Sequence, residues 1–173
     1  MATITKSLTM DHNLSILLTE DDENDVFLLK LAFDQADIRN RLLVARDGEE
    51  AINCLAGNGR FSNRSEFPLP CLLILDLKMP RQTGLDVLRW LRQQPALSCL
   101  PVIVLSSSAH RYDVERAYQL GANAFVVKPA GNEERLQLAK MIKGFWLGFN
   151  QPPIMCTEGI EAALKIHGDE LIP

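Results

Sequence analysis

The sequence predicts an α/β fold built on a doubly wound, five-stranded parallel sheet. Five short apolar runs, each typical of a strand, alternate with segments of helical periodicity. Strands that alternate with helices favour parallel pairing through crossover connections. The most apolar run, LLILD at 72–76, has the composition of a strand buried on both faces, as found in the interior of a parallel sheet.

Each element is placed by its own pattern. The predicted strands are 15–19, 41–45, 72–76, 101–105 and 124–127, and the predicted helices are 24–35, 48–56, 83–93, 111–120 and 132–149. Gly48, Gly84 and Gly121 mark boundaries between elements, and Gly121 suits the end of a helix. Residues 57–70 form a long polar loop before the third strand, which is either a functional element or a tolerated surface insertion.

The length of the chain limits its domain organisation. With 173 residues it suits one ordinary domain and is short for two. We expect an N-terminal arm at 1–13, a domain at 14–149 and a C-terminal tail at 150–173. Such a tail is too short for an output domain of its own, so any output is expected to be contact with another protein.

Composition excludes several classes of protein. Hydrophobic residues make up 47% and charged residues 23%, as in a folded globular protein. A net charge of −4 gives no bulk attraction to nucleic acid. The four cysteines are scattered, as is typical of a reducing compartment. No signal-peptide core or apolar run of ~18 residues is present, so we expect a cytoplasmic protein without membrane or nucleic-acid partners.

Polar side chains stand at the ends of four predicted strands. Because the carboxyl ends of parallel strands meet at one edge of a sheet, these side chains are expected to converge there. Carboxylates brought so close repel one another, and a divalent cation would relieve that repulsion. The alternative is that the acids at 20–25 only favour the start of the next helix. The set comprises Glu20, Asp21, Asp76, Ser106 and Lys128.

As a set, these residues resemble the site of a receiver domain, the phosphoacceptor module of two-component response regulators. The resemblance covers roughly 14–149 and includes the LKMP that follows Asp76, Gly84, Phe125 and the Lys128–Pro129 pair. It implies the flavodoxin-like (βα)5 fold and a single-domain regulator that accepts a phosphoryl group from a sensor histidine kinase. Such a regulator either switches contacts with other proteins or serves as a phosphate relay or sink. The ending FWLGFNQPP at 145–153 is similar to stand-alone regulators that accompany bacteriophytochromes, which makes a bacteriophytochrome the candidate kinase.

The resemblance assigns the acceptor and the metal site. Asp76 is the expected phosphoacceptor, since a carboxylate can act as a nucleophile toward phosphorus. Mg²⁺ is expected to be bound directly by Asp21 and Asp76. Glu20 is expected to act through water, and the backbone carbonyl of Lys78 to complete the coordination sphere.

The resemblance also assigns the phosphate contacts and a switch. Ser106 and Lys128 are expected to contact the phosphoryl oxygens. Phe125 is expected to turn inward when the Ser106 hydroxyl moves, although ordinary packing would also explain both residues. The bond before Pro129 is a candidate for a cis peptide, which is almost confined to X–Pro bonds.

Two other functions remain open alongside the phosphorylation switch. A phosphatase with an Asp nucleophile also uses a parallel sheet, but it needs a DxD motif, and here Leu77 and Lys78 follow Asp76. A pseudo-receiver, which binds partners without phosphorylation, usually lacks one or more site residues. The complete set therefore favours a signalling protein rather than an enzyme.

Aromatic residues at the end of the last predicted helix indicate a homodimer contact. Phe145, Trp146 and Phe149 cannot all face one sheet. Trp146 and Phe149 are spaced to share a stripe, whereas Phe145 also lies four residues before Phe149. Farther along, a helical pattern predicts a short amphipathic helix that needs a surface to pack on. That surface is either its own domain or a second subunit. The pattern is formed by Ile160, Ala163, Leu164 and His167.

Overall fold

The computed structural model describes residues 14–151. It contains five strands that pair in parallel in the order β2-β1-β3-β4-β5, so the chain changes direction across the sheet between β1 and β3. This confirms the predicted doubly wound, flavodoxin-like sheet. The strands are β1 (Ser15–Thr19), β2 (Leu42–Ala45), β3 (Pro70–Leu75), β4 (Val102–Ser106) and β5 (Ala124–Val127).

Helices cover both faces of the sheet. The first and last α-helices pack together over one face, and the other three contribute to the core on the opposite face. Alternation along β1 serves both cores, because Ile16 and Leu18 face the first and Leu17 the second. The helices are α1 (Glu23–Gln35), α2 (Gly48–Ala56), α3 (Gly84–Arg92), α4 (Arg111–Gln119) and α5 (Asn132–Met141).

The ends of the helices are fixed by polar side chains and by glycine. Asp22 caps α1 by accepting from the N–H groups of Asn24 and Asp25. Thr83 and Asp86 form a reciprocal capping box at the start of α3. Gly121 follows α4 with a φ of +93°, as predicted for the glycine that ends this helix.

The last predicted helix differs from expectation. It is α-helical only to Met141 and continues as a π-helical segment, Ile142–Phe149. Trp146 turns inward against the core beneath α1 and α5, whereas Phe145 and Phe149 are 54% and 71% exposed. The predicted pairing of Trp146 with Phe149 was therefore wrong. The exposed aromatic pair is Phe145 and Phe149.

The loop at 57–70 is built into the domain. It contains a short 3-10 turn, Gly59–Phe61, and it ends where β3 begins. Phe61 is buried and meets Phe67 edge to face at 4.9 Å between ring centroids. Arg64 donates to backbone carbonyls at the end of α2. This loop contributes to the core and is not an appendage on the surface.

Some sequence-based predictions fall outside the described residues. The arm at 1–13 and the helical pattern of the tail beyond 151 are among them, so these domain boundaries remain predictions. Across residues 14–151, none of the helices combines the length and the apolar character needed to cross a membrane.

Candidate functional site

Three carboxylates meet at the carboxyl edge of the sheet. The adjacency of β1 and β3 brings them together, and the Asp76 N–H donates to the Thr19 carbonyl at 3.0 Å. One carboxylate oxygen from each of Glu20, Asp21 and Asp76 lies within 4.8 Å of the other two. Glu20 and Asp76 are buried, whereas Asp21 is exposed. The cluster therefore opens to solvent on the side of Asp21.

Lys128 extends into this cluster from the end of β5. Its backbone N–H donates to the Ser106 carbonyl at 2.9 Å, which fixes the start of the side chain beside β4. The ammonium has three donors, and three carboxylates accept them. The distances from Nζ are 2.6 Å to Glu20 Oε2, 2.8 Å to Asp25 Oδ2 and 2.8 Å to Asp76 Oδ2. Only 15% of the Lys128 side chain is exposed.

Burial and charge act in opposite directions on these groups. Burial raises the pKa of Glu20, and its hydrogen bond to Lys128 offsets this only in part. Burial alone would lower the pKa of Lys128, but the hydrogen bonds to Asp25, Asp76 and Glu20 together raise it. The repulsion between carboxylates that the sequence suggested does contribute at Glu20, yet burial is the larger cause.

The carboxylate cluster suits a small, hard divalent cation. Such ions take oxygen ligands and are typically bound by one or two carboxylates. The Lys78 N–H donates to Asp76 Oδ1 at 3.1 Å, so the backbone of Lys78 lies against the cluster, while its side chain is exposed. Ligation by the Lys78 carbonyl remains a prediction.

The loop that follows Asp76 depends on a glycine. A Cβ placed on Gly84 would lie 2.2 Å from the Asp76 carbonyl oxygen, which is too close for two atoms that are not bonded, so the backbone would have to shift. The Gly84 N–H donates to the Leu77 carbonyl at 3.1 Å and closes the loop. Any larger residue at this position would move the backbone that presents the Asp76 carboxylate.

Ser106 and Phe125 occupy β4 and β5, respectively. Ser106 is the last residue of β4 and is fully buried, and its hydroxyl accepts from the Ser108 N–H at 3.4 Å. Phe125 is half-buried against the core on the α2 to α4 side. Its N–H donates to the Tyr118 hydroxyl at 3.2 Å. The bond before Pro129 is trans, as are all peptide bonds in the described part of the chain, so the cis candidate was wrong.

Sequence reasoning missed Asp25. It was counted only among the acids that start α1, yet its carboxylate contacts Lys128. Asp25 is the third residue of α1, and side chains of a helix point back toward its N-terminus. An acid in this position therefore reaches back to the edge of the sheet, and this helical phase is the signal that would have identified it.

Comparison with known proteins places this geometry in a family. The response regulator receiver domain model matches residues 16–140. The chain is 33% identical over 132 residues to the response regulator Rcp1 of Synechocystis, which covers 76% of this chain and 88% of Rcp1. It is also 33% identical over 141 residues to a probable methanogenesis regulatory protein, FilR2 of Methanothrix harundinacea, which covers 80% of this chain and 86% of FilR2.

Solved structures give the same result. The phosphorylated cyanobacterial phytochrome response regulator RcpA has a TM-score of 0.75 at 32% identity and covers 82% of this chain and 99% of its own. RPA3017, a response regulator in red light signaling of R. palustris, has a TM-score of 0.76 at 34% identity and covers 81% and 99%. The Mn²⁺-bound form of Rcp1 has a TM-score of 0.73 at 32% identity and covers 81% and 99%.

These relatives confirm the predicted resemblance, including its likeness to phytochrome-associated regulators. They are signalling proteins, and receiver domains typically interact with histidine kinases. Neither the phosphatase nor the pseudo-receiver interpretation is favoured by them. The family match spans well over half of the sequence. The chain therefore belongs to the response regulator receiver domain family of two-component signalling systems.

Proposed function

We propose that Asp76 accepts a phosphoryl group from a sensor histidine kinase and that this switches contacts with other proteins. The observation that carries the proposal is the buried Asp76 carboxylate with the Lys128 ammonium 2.8 Å away, beside the carboxylates of Glu20 and Asp21. A buried carboxylate paired with a lysine at the edge of a parallel sheet suits nucleophilic chemistry on phosphorus. The similarity to RcpA, which is described in a phosphorylated form, supports it.

The transfer exchanges one bond for another. An Oδ atom of Asp76 attacks the phosphorus of the phosphohistidine on the kinase. As the new P–O bond forms, the P–N bond breaks and its electron pair stays on the imidazole nitrogen. Lys128 donates to a phosphoryl oxygen and Ser106 donates through its hydroxyl. Water later attacks the phosphorus. The bond between Asp76 Oδ and phosphorus then breaks, inorganic phosphate is released and the Asp76 carboxylate is restored.

Mg²⁺ is the metal we propose for the carboxylate cluster. Asp21 and Asp76 would bind it directly, Glu20 through water, and Lys78 through its carbonyl. When bound, the ion offsets part of the ~ −1.5 to −2 charge that a phosphoryl group brings. Support comes from the spacing of the three carboxylates and from the Mn²⁺-bound form of the related Rcp1.

Ser106 and Phe125 are the proposed switch. A Ser106 hydroxyl drawn toward the phosphoryl group leaves room for the half-buried Phe125 ring to turn inward, which biases a two-state element. Ser106→Ala is expected to accept phosphate but to lose most of the change in partner binding. A variant that responds like the wild type would eliminate this switch.

The partners we propose are a phytochrome-type histidine kinase and a second copy of the chain. The likeness to RcpA and RPA3017 supports the first. The exposed pair Phe145 and Phe149 supports the second, because large apolar side chains at 54% and 71% exposure favour a protein contact. The thiols of Cys54 and Cys99, which form no disulfide within the described residues, support a cytoplasmic location.

Intact-mass analysis with a small phosphodonor and Mg²⁺ tests the acceptor. The wild type is expected to gain one phosphoryl group and Asp76→Asn none, since the amide keeps the shape but lacks the nucleophile. Full labelling of Asp76→Asn would refute the proposal. A label that is stable in acid and labile in base would identify an acyl phosphate.

The metal site has its own matched pair of variants. Chelation is expected to abolish labelling, and Asp21→Ala is expected to weaken Mg²⁺ binding strongly. Asp22→Asn is the control, because asparagine preserves the cap of α1 and Asp22 lies outside the cluster. Equal weakening by both substitutions would count against the ligand assignment.

Light scattering tests the homodimer. The full chain is compared with a version that ends at Asn150, at tens of micromolar and with and without phosphate. A dimer that dissociates on truncation supports a tail-dependent contact. A monomeric full chain under every condition would exclude the dimer.

A further inference from the structure

The three carboxylates that contact Lys128 are not equivalent. Glu20 and Asp76 also belong to the metal-binding cluster, whereas Asp25 does not. Their exposure differs as well, since the side chains of Glu20 and Asp76 are 3% and 5% exposed and that of Asp25 is 33% exposed. Asp25 is thus the partner on the solvent side, outside the predicted coordination sphere.

The difference between Asp25 and the other two carboxylates becomes important once a cation and a phosphoryl group are bound at the site. A cation at the cluster and a phosphoryl group on Asp76 would engage the carboxylates of Glu20 and Asp76, two of the three that now accept from Lys128. The same cation would repel the ammonium, whose four-carbon stem is flexible. Asp25 is the one contact among the three that remains available to hold Nζ.

Asp25 is itself held in place. It is the third residue of α1, and its N–H donates to the Asp22 side chain at 3.3 Å, within the cap of the helix. Helix α1 packs along α5, so its first turn cannot easily shift relative to the sheet. The carboxylate is therefore presented to Lys128 by a rigid element, as a positioning group requires.

We propose that Asp25 is a positioning residue for phosphoryl transfer. It retains the Lys128 ammonium beside Asp76 once the metal and the phosphoryl group engage the other two carboxylates. This rests on the proposed function and deepens it. Asp25 lies outside the carboxylate cluster that would hold the metal, so its effect would reach the reaction through Lys128.

The test compares Asp25→Asn with Asp22→Asn at saturating Mg²⁺. The rate of labelling by a small phosphodonor is expected to fall about tenfold in Asp25→Asn, an effect typical of a modest loss of orientation, while the final mass still shows one phosphoryl group. Asp22→Asn, which changes a carboxylate in the same turn and keeps the cap, is expected to be labelled at the wild-type rate. Asp25→Glu is expected to restore much of the rate.

A double-mutant cycle separates positioning from helix stability. In a Lys128→Met background, Asp25→Asn is expected to have no further effect on the residual rate, because the residue through which it acts is gone. An equal fall in both backgrounds would overturn the inference, as would wild-type kinetics for Asp25→Asn. A wild type that takes no label on Asp76 would instead refute the proposed function itself.

Discussion

The carboxyl edge of the sheet and the loop between α2 and β3 each contain a half-buried cation that contacts three acceptors. At the edge, Lys128 contacts three carboxylates at 2.6–2.8 Å. In the loop, Arg64 donates to the carbonyl oxygens of Cys54 at 2.7 Å, Leu55 at 2.8 Å and Phe67 at 3.2 Å. The two cations make the same number of contacts, but Lys128 contacts negatively charged carboxylates and Arg64 contacts neutral carbonyls.

That difference separates a site from a structural cap. The carboxylates around Lys128 exceed it in charge, so the cluster still attracts a cation. In the proposed function, the carboxylates exchange Lys128 for a metal or a phosphoryl group. The carbonyls around Arg64 are neutral and two of them end α2, where the helix leaves its last carbonyls without partners. Burial lowers the pKa of Arg64, yet a guanidinium stays charged in proteins. Arg64 therefore remains a charged donor to these carbonyls, which carry no excess negative charge to attract a further cation.

Of the substitutions in the two regions, Lys128→Ala is expected to have the largest effect on stability and on labelling. A smaller effect than that of Arg64→Ala would contradict the distinction between the two regions. Removing the ammonium leaves buried carboxylates facing one another. In the absence of Mg²⁺, the free energy of unfolding is therefore expected to fall by about 3 kcal/mol. Labelling of Asp76 is expected to slow about 100-fold, as when one donor to a developing charge is removed. Denaturant unfolding and mass analysis measure the two effects.

Mg²⁺ provides the internal control for Lys128→Ala. Because the ion neutralises the same carboxylates, adding it is expected to restore part of the lost stability in the variant and less in the wild type. Unfolding of the variant that is insensitive to Mg²⁺ would show that the ion does not neutralise the carboxylates that Lys128 contacts.

Arg64→Ala should cost stability without affecting the chemistry. The three carbonyls would lose a charged donor, which is expected to lower the free energy of unfolding by about 2 kcal/mol. Adding Mg²⁺ is expected to recover none of it, and labelling of Asp76 is expected to stay within about twofold of wild type, since the loop does not contact the cluster. If folded Arg64→Ala lost the labelling of Asp76, the loop would be shown to affect the chemistry at the edge of the sheet.

Arg60→Ala is the matched control on the same loop. Arg60 also forms an ion pair, with Glu50, but its side chain is 68% exposed. Exposed pairs contribute about 0–1 kcal/mol, so its loss is expected to be well below that of Arg64. An equal loss would show that charge on the loop, and not the capping of α2, provides the stability.

The two regions also differ in how far the sequence could reveal them. The edge was predictable because Glu20, Asp76 and Lys128 each follow an apolar run, and parallel strands bring such ends together. The packing of the loop was not, because Arg64 acts on carbonyls about ten residues away and no periodicity marks that contact. Its composition is polar whether the loop is packed or exposed.

The limits within well-predicted elements have the same origin. Asp25 was assigned to the right helix, but its role depends on the direction of one side chain toward Lys128. Residues 132–149 were rightly predicted as helical. After Met141 the hydrogen bonding changes from α to π, and Trp146 points inward. The segment is too short for its apolar spacing to reveal that change.

Cys54 can report on the Arg64 cap. It lies in α2, its side chain is buried, and burial raises the pKa of its thiol to about 11. Alkylation at pH 8 is therefore expected to be slow in the wild type and about tenfold faster in Arg64→Ala, where the end of α2 opens more often. Cys99 is exposed and is expected to react equally in both proteins. Equal protection of Cys54 would mean that the cap does not hold this helix end.

The same thiol predicts a pH dependence of stability at alkaline pH. The pKa of Cys54 is raised from an ordinary value of 9.0 to about 11, so the unfolded chain loses this proton at lower pH than the folded one. The resulting stabilisation is complete below pH 9 and is lost as the pH rises through about 11. Cys54→Ala lacks this pH-dependent stabilisation and also loses some packing, so it is expected to be less stable than the wild type at pH 8. The difference in stability between the two proteins, here called the gap, is expected to narrow toward pH 11. Denaturant midpoints measure the gap, and Cys99→Ala should show none. A Cys54→Ala gap that stays constant with pH would mean that the thiol ionises alike in both states and that its surroundings are open to water.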